Sequence, residues 1–355
     1  MPTIHDVARL AGVSITTVSK VLNGYPDVGA KTRAKILRIT KEVGYRPSAM
    51  ARGLAMSRSW LIGVFFQDAV NSGLEHPFFE VVLNGCKNTV GKHGYDLLFF
   101  SNLVFSPGEA KNDYLSRARQ RQVDGVLLMG VHRHDKELHN LAQADLPCMF
   151  IDIDITGPRS GFIESNNREG AKQAVRHLLA LGHRRIAVIG DRHGSRPGED
   201  RLAGAREAMT EAGVEWSEEY VEYGDFSQES GYSAMMALLT RLEADRRPTG
   251  VFAQSDLMAF GAMDAAFEKG LRIPEDLSIV GFDDIQSASR FRPRLTTVRQ
   301  NMHRIGERAG ESLIRMIESE GTKPPVLSVD TELVVRESTG SAGRDEEGMR
   351  EVKWE

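Results

Sequence analysis

The chain has 355 residues, 41% of them hydrophobic and 26% charged, which suits a globular protein of two to three domains at about 150 residues each. Apolar runs such as Leu61–Phe66 and Val126–Met129 fall far short of the roughly 18–20 residues of a membrane helix. Two cysteines, Cys86 and Cys148, exclude a disulfide scaffold and a cysteine metal cluster. The first residues, Met1-Pro2-Thr3-Ile4-His5-Asp6, carry neither a basic nor an apolar leader pattern, so a cytosolic, membrane-free protein is expected.

The net charge of −4 divides unevenly. Residues 1–60 hold ten Lys and Arg against three acids, and the remainder holds 35 against 46. A small basic module on a larger acidic body suggests that the first part meets a polyanion, although a solvated helical domain has the same balance.

Residues 1–45 show short helical patterns broken at Gly12, Asn23-Gly24 and Pro26-Asp27. From Thr3 to Asn23 the pattern fits a helix-turn-helix. Ala8 is the small residue where the helices cross, Gly12 fills the turn, and Val7, Ala11, Val13, Val18 and Val21 lock the pair. Ser14 is placed to cap the second helix. Ile15, Thr16, Thr17, Ser19 and Lys20 then face outward, available to a major groove. A plain helical hairpin shares this spacing. The third helix is expected over residues 30–43, with Ile36, Leu37, Ile39 and Val43 at helical spacing among five basic residues.

After Trp60 the pattern changes to short apolar runs: Leu61–Phe66, Leu97–Phe100, Val123–Met129, Met149–Ile153, Ile186–Ile189, Val251–Ala253 and Leu277–Phe282. Amphipathic helix-length segments separate them. Alternation of this kind implies parallel sheets covered by helices, and its length implies two lobes with a cleft. The end, residues 338–355, is rich in Gly, Ser and charge and is expected to be a disordered tail.

The residues DVARLAGVSITTVSKVLN, Val43-Gly44-Tyr45-Arg46-Pro47 and Ala51-Arg52-Gly53-Leu54 resemble the LacI/GalR family of bacterial repressors. So do HLLALGHRRIAVIG (177–190), RLAG (201–204), SDLMAFGAM (255–263), IPEDLSIVGFDD (273–284) and PRLTTVRQ (293–300). The resemblance runs from Thr3 to about Glu337. It implies an all-α helix-turn-helix head (1–45), a hinge helix or linker (46–59) and a two-lobed α/β body of the periplasmic-binding-protein type I kind (60–337). The N-lobe is expected over 60–163 and 297–321, and the C-lobe over 164–295 and 323–337. By the same resemblance, DNA contact falls on Thr3, Ser14, Asn23, Tyr45, Ala51 and Arg52 as well as the outward face of the second helix. Leu54 would wedge into the central minor groove.

The effector would sit at strand ends in the cleft. The positions carried over are Asp152, Ser165, Arg201, Phe226, Ser255, Asp283, Gln300 and Met302, with Phe78 and Phe79 after a lengthened 67–75 loop. A carboxylate, a fork-shaped Arg and a flat ring suit a sugar. Asp283 and Arg201 also suit an interlobe salt bridge or helix cap, Phe226 and Met302 ordinary core, and Asp152 a turn. His76 is a further candidate beside them.

No P-loop, metal-spaced His cluster or G-x-S-x-G elbow is present, so no catalytic residue, metal or cofactor is assigned. The function expected is a dimeric, ligand-responsive transcriptional repressor, binding palindromic operator DNA and a sugar or short oligosaccharide. The alternatives are a nucleobase-type corepressor, or a sugar-binding protein or enzyme without a regulatory role.

Overall fold

The computed structural model describes residues 2–45, 58–66, 76–101, 113–131, 134–319 and 321–342. The expectations for Ala51, Arg52 and Leu54, for the 67–75 loop and for the tail beyond 342 therefore lie outside the described residues.

The head has three helices, α1 (Ile4–Ala11), α2 (Ile15–Leu22) and α3 (Ala30–Glu42). Thr3 and Asp6 form a reciprocal capping box at the start of α1. Gly12, at φ 66°, makes the left-handed turn out of α1, and Ser14 Oγ accepts from Thr17 N (3.2 Å) to start α2. Val7, Ala8, Ala11, Val18, Val21, Ile36 and Ile39 are buried together.

The body has two sheets. In the N-lobe, β1 (Leu61–Phe66), β2 (Asp96–Phe100), β3 (Gly125–Met129), β4 (Cys148–Ile151) and β5 (Ser160–Ser165) are joined by β11 (Val326–Val329). Their order is β2-β1-β3-β4-β5-β11, parallel throughout. Alternate residues point to opposite faces. Val64, Leu127 and Met149 pack with α4 (Pro77–Lys92) and α11 (Met302–Glu318). Phe65, Val126 and Phe150 pack with α5 (Tyr114–Gln120) and α6 (Glu137–Ala142). Gly85 and Gly306 let α4 and α11 touch backbone to backbone, since a Cβ on Gly306 would lie 1.9 Å from the Val82 carbonyl.

The C-lobe sheet contains β6 (Ile186–Asp191), β7 (Val221–Gly224), β8 (Gly250–Ala253), β9 (Ser278–Asp283), β10 (Thr296–Gln300) and β12 (Thr331–Val334). Their order is β7-β6-β8-β9-β10-β12, with only β12 antiparallel, to β10. Helices α7 (Asn167–Ala180) and α8 (Arg196–Glu211) cover one face, and α9 (Gln228–Arg241) and α10 (Asp256–Glu268) the other. In both sheets the strand order reverses beside the first strand, the place where α/β sheets open a crevice at their carboxyl ends.

Three boundaries differ from the sequence expectation. Residues 297–300 belong to the C-lobe, because β10 pairs with β9. Within the expected C-lobe segment 323–337, β11 pairs instead with β5 of the N-lobe. The chain thus crosses at 165–167, 300–302 and 329–331. The expected tail is also ordered at its start. Ser338 Oγ donates to the Ile279 carbonyl (2.6 Å) and accepts from Thr296 N (2.8 Å). His183 Nε2 donates to the Gly340 carbonyl (3.1 Å), and Ala342 N to the Leu181 carbonyl (2.9 Å). These bonds strap residues 338–342 across the C-lobe. Among the described residues no helix is long and apolar enough to cross a membrane.

Candidate functional site

A cleft of about 1010 Å³, counting its open mouth, is lined from both lobes. Phe78, Phe79, Asp152, Arg201, Phe226, Asp283 and Gln300, all sequence candidates, line it together. Ser165, Ser255 and Met302 do not line it. Ser255 is the N-cap of α10, its Oγ accepting from Met258 N (3.1 Å). Met302 opens α11 and joins the core, and Ser165 is buried where β5 ends.

The floor is an ionic network. Arg201 lies in the second turn of α8 and is 4% exposed. It donates from Nε to Asn167 Oδ1 (2.8 Å) and from Nη1 to the Gln254 carbonyl (2.5 Å). Its Nη1 is 3.8 Å from Asp283 Oδ1, and its guanidinium stands 3.8 Å from the Phe282 ring centre. Gln300 Nε2 donates to the same Asp283 oxygen (2.6 Å). Burial pushes the Asp283 carboxyl up, and Arg201 and His76 oppose it. Burial likewise raises Asp152 to about 7, against the pull of Arg201. Asp152 Oδ1 and Gln300 Oε1 are buried acceptors without a hydrogen-bond partner.

Asp152, Phe226 and Asp283 have φ of 59°, 66° and 126°. Non-glycine residues enter this left-handed region at an energetic penalty, and such positions gather where a backbone must aim a side chain. All three stand at the ends of strands and line the cleft.

His134, Asp191, His193, Ser195 and Arg196, none of them expected from the sequence, also line the cleft, and His76 lines it too. Asp191 ends β6 and folds the next turn, accepting from His193 N (2.9 Å) and Ser195 N (2.7 Å). Ser195 then caps α8 through Gly198 N (3.2 Å). Ser followed two residues later by Pro is a helix-start signal. It places the start of α8 before Arg201 and the 195–197 segment at the strand end. Arg196 reaches back across the cleft to two N-lobe carboxylates, Asp154 (3.3 Å) and Glu164 (3.7 Å), and to Asp200 of its own helix (2.8 Å). Among the described residues no group of three or more His, Cys, Asp or Glu is placed to hold a metal.

In the head, Ile15 is 40% exposed and Thr16 is exposed beside it at the start of α2. Lys20 is ion-paired with Asp27. Asn23 Nδ2 donates to Ser19 Oγ (3.2 Å), Tyr45 packs on the head core, and Thr3 serves α1 as its cap. The exposed Lys31, Lys35, Arg38 and Lys41 make α3 basic.

Residues 3–48 match the lacI family of bacterial regulatory proteins, and residues 175–339 match the periplasmic binding protein-like domain. The probable HTH-type transcriptional repressor ExuR of Bacillus subtilis (strain 168) is 35% identical over 339 residues, 95% of this chain and 98% of that protein. The HTH-type transcriptional repressor PurR of Erwinia tasmaniensis is 37% identical over 340 residues, 95% and 97% of the two chains. The lac repressor dimer bound to operator and the anti-inducer ONPF superimposes with a TM-score of 0.82 at 30% identity, over 96% of this chain and 99% of that one. The CelR–cellobiose complex gives 0.71 at 32% identity, over 95% and 100%. The chain belongs to the lacI family of bacterial regulatory proteins.

Proposed function

We propose that the protein is a ligand-responsive, operator-specific DNA-binding repressor that acts as a dimer and takes a neutral sugar or short oligosaccharide in its interlobe cleft. The head offers α2, with Ile15 and Thr16 exposed at its start, to a major groove. Ile15 suits a thymine methyl and Thr16 a hydrogen bond to a base edge. Two heads on a two-fold dimer read a palindrome with linked affinity.

The observation that carries the effector reading is the pair of partnerless buried acceptors, Asp152 Oδ1 and Gln300 Oε1, on cleft-lining residues. Buried acceptors call for donors, and hydroxyl groups supply them. Both cleft arginines are already engaged, Arg201 by Asn167, Gln254 and Asp283, and Arg196 by Asp154, Glu164 and Asp200. A phosphate would have to break one of these sets beside three carboxylates, Asp152, Asp191 and Asp283. Phe78, Phe79 and Phe226 supply apolar faces for a sugar ring. The structural relatives include regulators bound to cellobiose and to ribose.

A thermal-shift screen of cellobiose, monosaccharides, sugar phosphates and purine bases tests this. A ligand selective for the folded body raises its melting temperature by mass action. The reading expects a neutral saccharide to do so and to change operator affinity. A shift with purine bases alone would replace the sugar by a nucleobase stacked on Phe226.

A further inference from the structure

Residues 58–60 lie outside the N-lobe sheet, before β1, where the chain from the head enters the body. A strand needs no fixed lead-in, yet this one is held at several points. Ser59 N and Oγ donate to Asp124 Oδ1 (2.9 and 3.0 Å), and Trp60 N donates to Asp124 Oδ2 (2.9 Å). One carboxylate thus receives three donors from two adjacent residues. Asp124 is itself fixed, its N–H donating to the Leu61 carbonyl (2.8 Å). Ser59 Oγ also accepts from Leu61 N (3.2 Å). Trp60 has a φ of 60°, a conformation a bulky residue keeps only where its surroundings impose it. Its ring packs 5.1 Å from that of Tyr95. Arg58 Nη2 donates to the Ile317 carbonyl (3.3 Å) near the end of α11.

We propose that Asp124 is a positioning residue for operator binding: it clamps residues 59–60 to the N-lobe and so fixes the direction in which the chain leaves for the head. The inference rests on the DNA-binding reading above. A palindrome sets its half-sites at a fixed separation, one helical turn of about 34–36 Å or a multiple of it. The second head therefore engages at an effective concentration governed by how freely each tether swings. A fixed exit narrows that freedom before DNA arrives and leaves single-head contact with random DNA untouched.

The test uses the full chain and the palindrome that the wild type enriches from a randomised duplex library. Asp124→Asn keeps the shape but sets an amide beside three donors. Ser59→Ala removes only the Oγ bonds and changes no charge. Asp124→Asn is expected to weaken binding to the selected palindrome about tenfold, and Ser59→Ala less, with random-duplex binding within about twofold of wild type. A merely structural defect would lower both affinities together by reducing the folded fraction. Equal losses on both duplexes, or no loss on either, would overturn the clamp. If Asp124→Asn fails to fold, Ser59→Ala decides alone by the same two affinities. A wild type that enriches no palindrome refutes the DNA-binding reading itself, and the clamp falls with it.

Discussion

Gln300 Nε2 donates to Asp283 Oδ1 at 2.6 Å across the carboxyl ends of neighbouring strands β10 and β9, leaving Gln300 Oε1 without a partner. The bond joins the second lobe crossing, at 300–302, to the carboxylate that Arg201 also faces. A ligand reaching this corner meets an oriented acceptor on Gln300 and the carboxyl of Asp283.

Asp283→Asn keeps the volume and turns part of that acceptor into a donor. A hydrogen bond contributes about 0.5–1.5 kcal/mol, so saccharide affinity should fall roughly 2- to 12-fold. Operator affinity without ligand should stay at the wild-type level, since Asp283 belongs to the C-lobe sheet. Titration calorimetry and fluorescence anisotropy read the two quantities separately.

Asp152 sets a pH dependence. Its carboxyl is raised from 3.8 to about 7, first by burial. The folded state therefore holds that proton more tightly than the unfolded chain. Its contribution to stability is fullest below 3.8 and is lost as pH rises to about 7. Asp152→Asn should flatten that part of the melting-temperature profile. Glu164, Asp256 and Asp283, also raised, supply what slope remains. A ligand hydroxyl donating to Asp152 favours the ionised form, so binding should strengthen as pH climbs through about 7 and release a proton below it. Calorimetry in two buffers of different ionisation enthalpy counts that proton.

Arg196 ties the lobes together through Asp154 and Glu164 at the cleft. Arg196→Gln removes both ties at once and should favour an open cleft. Apparent ligand affinity then falls with the closed fraction, by about tenfold for a 1.4 kcal/mol shift. Asp200→Asn removes a partner within the same helix and should have a smaller effect. Ligand titration of the two variants checks the order.

The α4–α11 contact makes a packing prediction. Gly306→Ala drives a methyl into the Val82 carbonyl, and a clash between two backbones has no flexible end to yield. It should destabilise by about 1–3 kcal/mol or more. Gly91→Ala, also on α4, meets nothing within 4 Å and should be neutral or stabilise by up to about 1 kcal/mol. Urea unfolding of the two variants gives the comparison.

Local signals carried the head. Ala8, Gly12, Ser14 and the valines act on neighbours a few residues away, so spacing alone placed α1 and α2. The carboxylates Asp152 and Asp283 came from the family resemblance, and they stand where β4 and β9 end. The lobe boundaries were not legible. Nothing local in 296–300 or 326–329 says which sheet takes each strand, and pairing with β9 or β5 is settled by contacts more than a hundred residues away in the case of β11. Arg196 escaped notice because its partners Asp154 and Glu164 lie on the other lobe. Ser255 was misplaced because a Ser at a strand end is equally the first residue of a helix, and capping α10 is the use made of it. Residues 338–342 read as tail because Ser338, Thr339 and Gly340 carry polarity that the strap spends on Ile279, Thr296, His177 and His183.

In the proposed mechanism, occupancy of the cleft controls the head. The most direct measurement is operator affinity of the full chain, by anisotropy at fixed ionic strength, with and without the saccharide that raises the body's melting temperature. Saturating saccharide is expected to change affinity for the selected palindrome roughly 5- to 150-fold, the usual range of coupling between two sites, and to leave random-duplex binding as it was. A saccharide that saturates the cleft while operator affinity stays the same would contradict it.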